Sequence, residues 1–115
     1  MKMDIQTIQT ELDQWSLHNF PSRKVHHPLL GATEEMGELC HAHLKMEQGI
    51  RGTNEEHIAE AKDAIGDVII YLMDYCNQMD FDLQTIIEET WQTVCNRDWK
   101  KNPKTGYNDE HLSGN

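Results

Sequence analysis

Apolar residues along this chain recur at steps of three and four, the period of an amphipathic helix. Ile5, Ile8, Leu12 and Trp15 make one narrow stripe and predict a first helix over residues 3–19, with Asp4 as its N-cap. Pro21 and Pro28 then bracket a basic loop, Ser22-Arg23-Lys24-Val25-His26-His27, whose adjacent histidines read as solvated before they read as metal or phosphate ligands. A second helix is predicted over residues 29–48, stopped by Gly49. Thr53-Asn54-Glu55-Glu56 fits a capping box and opens a third helix, residues 54–79. Its apolar stripe is Ile58, Ala61, Ile65, Val68, Ile69, Leu72 and Cys76, and its opposite side carries Glu60, Asp63, Asp67, Tyr71 and Asp74. Asp82 is placed to cap a fourth helix ending near residue 96, with Ile86, Ile87, Thr90 and Val94 inward. No strand alternation and no repeat occurs, so the expected fold is all-α, a bundle of about four helices.

The second helix breaks its own pattern. With Glu35 as origin and about 100° per residue, Gly31, Glu38, Leu39, Ala42 and Met46 all fall within about 60° of it. Glu35 thus lies on a stripe built for packing, whereas Glu34 lies about 100° away beside His41 and Lys45. A carboxylate on a packing stripe needs a partner, because burying an unpaired charge is costly.

Composition narrows the choices. The 115 residues allow one domain with a modest core, drawn here over residues 1–107 with a polar, mobile tail over 108–115. Apolar content of 37% is low enough to expect part of the core to be completed at a subunit interface, in a homodimer or homotetramer. Ten basic against twenty acidic residues give a formal charge of −10, which disfavours a nucleic-acid polymer as partner. A small anionic ligand is compatible with that charge only if a divalent cation intervenes. Cys40, Cys76 and Cys95 are widely spaced and read as reduced core residues of a cytoplasmic protein. The N-terminus has no signal-peptide core and no stretch reaches membrane-spanning length, so no membrane partner is expected.

Two clusters can carry chemistry. Glu35 and Glu38 are one turn apart, as are Asp63 and Asp67, and an antiparallel pairing of the two helices would converge all four. An all-oxygen site of this kind suits Mg2+ or Mn2+. On the third helix alone, a wet acidic face explains the same residues equally well. The second cluster is Arg97, Lys100, Lys101, Asn102 and Lys104, a basic patch in an acidic chain that suits phosphate oxygens or simply a helix C-terminus. Phosphate-loop, zinc-protease and dinucleotide signatures are absent. Glu38-x-x-His41 raises a di-iron bundle, but a second such pair would have to come from another copy of the chain.

Taken in order, these residues resemble a known family. Glu34-Glu35-Met36-Gly37-Glu38 is similar to the EExxE motif of the MazG-like all-α nucleoside triphosphate pyrophosphatases, and Asp63-Ala64-Ile65-Gly66-Asp67 to their second motif. Residues 12–107 take part, including Trp15, Asn19-Phe20-Pro21, Glu47-Gln48-Gly49-Ile50-Arg51 and Arg97-Asp98-Trp99-Lys100. The resemblance implies hydrolysis of an NTP or dNTP to the monophosphate and pyrophosphate with Mg2+, by an oligomer. It implies metal ligation by Glu35, Glu38, Asp63 and Asp67, catalytic roles for Glu34, Glu35 and Glu38, and water orientation by Glu34 or Glu38. It places Arg97, Lys100, Lys101 and Asn102 on the phosphates, and Trp15, Phe20 or His43 beside the base. One departure stands out: the family motif ExxD would have Glu at position 64, where this chain has Ala64. Asp63 makes a DxxxD pair instead, and Glu60 with Asp63 spells ExxD one turn earlier. That departure keeps two other readings open, a nucleotide-binding module without activity and a structural dimerisation bundle.

Overall fold

The computed structural model describes residues 2–108, and they are all-helical: α1 (Ile5–Asn19), α2 (His26–Gln48), α3 (Asn54–Met79) and α4 (Leu83–Cys95). The expected mobile tail falls, apart from Asn108, outside the described residues. Among the described residues no helix is long and apolar enough to cross a membrane. Backbone contacts divide the chain into two compact units, one up to Asp82 and one from Leu83 onward.

Helix boundaries follow local chemistry. The Asp4 carboxylate accepts from Thr7 N at 2.7 Å; the Thr7 side chain first, and then this backbone bond, hold its pKa below the usual carboxylate value. Thr53 Oγ1 accepts from Glu56 N at 3.1 Å, the N-cap half of a capping box, and its hydroxyl donates to the Glu56 carboxylate at 3.2 Å. Gly49, left-handed at φ 69°, ends α2. The start of α2 differs from expectation: it begins at His26, not near residue 29. Proline is tolerated in a first turn, where its missing N–H has no helical partner. His27 Nδ1 also accepts from Lys24 N at 3.1 Å, so this histidine anchors the helix start.

In the first unit α2 and α3 form the main packing pair, and α1 packs on α3. The short connection from Gly49 to Thr53 makes α2 and α3 an antiparallel hairpin. Buried His57 secures that connection by donating from Nε2 to Ile50 O at 2.9 Å. Ala32, Ala42 and Ala64 are buried, and a methyl added at Gly31 would collide with the Tyr71 ring. Small side chains therefore let the two backbones approach closely. On α1, Gln9 Nε2 donates to Phe81 O at 2.8 Å, and Asn77 of α3 donates to Gln9 O at 3.0 Å. Leu12 is buried, but Trp15 of the same stripe is exposed.

The face that α3 turns to α2 is the one that carries Asp67 and Tyr71, so Asp67 meets Glu35 as the expected antiparallel pairing requires. Buried His57, Ala64 and Asp74 and half-buried Asp67 and Tyr71 lie on the supposed wet side. The apolar stripe, about 120° around the helix, stays largely uncovered. Ile58, Ile65, Ile69 and Leu72 are 43%, 51%, 46% and 38% exposed. Only Cys76 of the three cysteines is buried, its thiol pKa raised by desolvation and then by the Asp82 charge; Cys40 and Cys95 are exposed.

The second unit contains α4 and a loop that closes on itself. Asp98 N donates to Gly106 O at 2.7 Å, and Tyr107 Oη donates to Thr93 O at 3.3 Å. Ile86, Ile87 and Val94, expected inward, are exposed, as is Trp91.

The Gly31–Tyr71 approach yields a direct test. Gly31→Ala is expected to destabilise the chain by about 1–3 kcal/mol through overpacking. The same substitution made in a Tyr71→Ala background should cost nothing, because the ring is gone. Equal costs in both backgrounds, measured by urea unfolding, would mean that these residues do not meet.

Candidate functional site

Glu35 is the centre of the α2–α3 seam. Its position on the packing stripe follows from its spacing to Gly31, Leu39, Ala42 and Met46, and all four of those residues are buried or half-buried. Glu35 itself is half-buried, with Oε2 fully buried and accepting no hydrogen bond. The carboxyl pKa is raised from 4.5 to about 7. Desolvation is the largest cause, followed by a hydrogen bond shared with the Glu38 carboxyl, then by the charges of Glu38, Asp67 and Glu34. With its pKa near 7, Glu35 carries a proton for part of the time at neutral pH.

The register explains which carboxylates gather. Gly31 meets Tyr71, and four residues onward on α2 and four back on α3 Glu35 feels Asp67. That opposite stepping is the register of an antiparallel hairpin. Glu34 and Glu38 are exposed at the edge of the seam, where their charges reach Glu35. Asp63 is exposed as well, one position from buried Ala64. Glu60 turns toward His57, its Oε2 3.5 Å from Nδ1. Among the described residues no three His, Cys, Asp or Glu side chains meet closely enough to hold a metal ion as they stand. The arrangement is a gathering of negative charge around one buried oxygen, not a closed ligand cage. His41 is exposed, and His43 pairs with Glu47 at 2.6 Å on the outer surface.

No known protein family, curated protein or solved structure matches this chain.

The remaining expected site residues divide between the two units. In the first, exposed Trp15 packs edge-on against Phe20, with ring centroids 5.8 Å apart, and lines an apolar hollow with Ile8, Leu12 and Ile70. In the second, Arg97 is held by its own loop, with its guanidinium 5.8 Å from the Trp99 ring centroid and 5.3 Å from that of Tyr107. The backbone N–H groups of Lys100 and Lys101 both donate to Asp98 Oδ1 at 3.1 Å. Both lysines are exposed, and Asn102 is half-buried with its N–H on Asp98 O at 2.9 Å.

Sequence reasoning passed over one feature. Arg23, in the loop between the prolines, places Nε 3.1 Å from Asp74 Oδ1 on α3, and its Nη2 lies 3.7 Å from Asp13 on α1. The side chains of Arg23 and Asp74 are only 9% and 12% exposed. Asp74 shares its helix face with Asp67, which was the one available signal, but its partner lies 51 residues away.

The raised Glu35 pKa has a definite sign in stability. Between the unfolded value of 4.5 and about 7 the folded chain binds more protons at this group, so its contribution falls as pH rises. In EDTA, Glu35→Gln should lose any disadvantage to wild type, and then gain on it, as pH goes from 4.5 to 8. Thermal unfolding of both proteins across that range checks this. A Tm difference independent of pH would refute the raised pKa.

Proposed function

We propose that this chain is a Mg2+-dependent nucleoside triphosphate pyrophosphohydrolase, acting on an NTP or dNTP to release the monophosphate and pyrophosphate. The observation that carries the proposal is the buried, unpartnered Oε2 of Glu35, surrounded by the negative charges of Glu38, Asp67 and Glu34. A soluble helical hairpin has no structural use for such an atom, whereas a divalent cation would satisfy it. The donors also fit, being all carboxylate oxygens, the choice of a hard cation.

In this reading Glu35, Glu38 and Asp67 hold the cation, with Asp63 or Glu60 contributing from the exposed edge. A bound Mg2+ would neutralise phosphate charge and lower the pKa of a coordinated water. Glu34 and Glu38, at the solvent edge of the seam, are the groups available to orient that water and take its proton. Lys100 and Lys101 of the second unit are exposed and the Arg97 guanidinium lies against the Trp99 and Tyr107 rings; a phosphate role for them rests on the resemblance alone. Ala64 is buried, so the Glu expected there by resemblance is replaced by packing, not by another ligand. That replacement favours a second reading, a nucleotide-binding module that has lost turnover.

A chromatographic product assay over the common NTPs and dNTPs, with Mg2+ and with EDTA, tests both readings. Monophosphate and pyrophosphate that depend on metal are the expected products. Glu38→Gln should lower their rate by at least about 100-fold, since even groups one step behind a metal ligand cost 10–100-fold. Diphosphate and phosphate would reject the proposed cleavage. Binding without turnover would leave the second reading.

The proposal extends to assembly. Ile58, Ile65, Ile69 and Leu72 form an exposed apolar stripe along α3, and such a stripe calls for a partner surface. A second copy of the chain offers the same stripe, and self-complementary helix packing is the simplest way to bury both. Ile65→Glu combined with Ile69→Glu should turn a dimer or tetramer into a monomer in sedimentation. A wild-type chain that already sediments as a monomer would overturn this part.

A further inference from the structure

A cleft of about 470 Å3 opens in the first unit where Thr10 and Asp13 of α1 face Cys76 and Asp80 at the end of α3, with Asp82 in the turn beyond. Its hydrogen-bonding groups are sorted by kind. The side-chain donors turn to backbone carbonyls: Gln9 Nε2 to Phe81 O at 2.8 Å, Asn77 Nδ2 to Gln9 O at 3.0 Å and the Thr10 hydroxyl to Gln6 O at 3.0 Å. What is left for a ligand is chiefly acceptor, three carboxylates and the lone pairs of Thr10. We propose that this cleft binds a linear aliphatic polyamine, with ammonium groups on the carboxylates and the methylene chain against Cys76 and Phe81.

The way the charge is spread decides the class of ligand. Among the described residues no three His, Cys, Asp or Glu side chains meet closely enough to hold one metal ion. Asp13 stands on one wall and Asp80 and Asp82 on the other, so a ligand that answers all three must carry cationic groups some distance apart. The Cys76 thiol points to what lies between them. Cys76 is 5% exposed, lines the cleft and makes no hydrogen bond among the described residues. Desolvation first, and then the Asp82 charge, raise its pKa, so it stays a neutral thiol. A neutral, polarisable sulfur suits a methylene chain better than water or a second charge. Asp13 is in part offset by Arg23, whose Nη2 lies 3.7 Å away. The Asp80 carboxylate has no partner among the described residues, and α3 carries no basic residue in its last turn to offset its negative helix end. A chain of formal charge −10 also concentrates such cations from solution.

This binding is independent of the pyrophosphohydrolase reading, and so is its test. Spermidine is titrated into the full chain by calorimetry, free of divalent cations, at about 0.15 M salt, where charges more than about 8 Å apart are largely screened. One saturable site is expected. Asp13→Asn combined with Asp80→Asn should weaken it about tenfold or more. Asparagine tolerates the left-handed backbone that Asp80 adopts at φ 60°. Glu88→Gln combined with Glu89→Gln removes as much charge from exposed positions on α4 and should leave the affinity unchanged. Where the aspartate variant does not fold, the buried thiol decides the matter. In a Cys40→Ser, Cys95→Ser chain, saturating spermidine should suppress alkylation of Cys76 by iodoacetamide. The absence of a saturable site, equal affinity in the two charge variants, or a Cys76 that spermidine leaves unprotected would each overturn the inference. The amine would then be held, if at all, by the acidic surface at large.

Discussion

The first unit is governed by a carboxylate held where a carboxylate is poorly tolerated. Glu35 lies in the α2–α3 seam, its Oε2 buried without a hydrogen bond and its pKa lifted to about 7 by burial, by Glu38 and by the neighbouring charges. This depends on how close the helices come. Gly31, Ala32, Ala42 and Ala64 keep side-chain volume out of the seam, and water is excluded with it. Larger residues at those positions would part the helices and let Glu35 solvate. Close packing and the perturbed acid are thus one property.

The same packing decision sends the rest of α3 outward. A helix cannot face its hairpin partner with two sides at once. By turning His57, Ala64, Asp67, Tyr71 and Asp74 toward α2, α3 leaves Ile58, Ile65, Ile69 and Leu72 on the surface. The site and the uncovered stripe are consequences of one rotation about the helix axis. The buried ion pair has the same origin: Asp74 lies on the face turned to α2, and Arg23 reaches it from the loop ahead of α2.

Much of this was legible in the sequence wherever the interaction is local. Asp4, Thr53 and Gly49 bound their helices as their side-chain and backbone chemistry requires. The start of α2 was read too late, because Pro28 is tolerated in a first turn and His27 caps the backbone at Lys24. Glu35 was recognisable on its packing stripe by periodicity alone. The third helix left its rotation open, because hydropathy does not say whether an apolar stripe is buried within one chain or left for another. The cysteines erred for a related reason: a small chain cannot bury every apolar position it carries, and Cys40 and Cys95 stay exposed.

By itself, the sequence determined the all-α class, the caps at Asp4, Thr53 and Gly49 and the presence of an acid on a packing stripe, since these depend on contacts a few residues apart. Tertiary structure decided which side of α3 meets α2, that Asp67 but not Asp63 presses on Glu35, and that Arg23 finds Asp74. Those outcomes depend on the rotation and register of one helix against another. Periodicity leaves that angle open, and side-chain volume at the seam closes it.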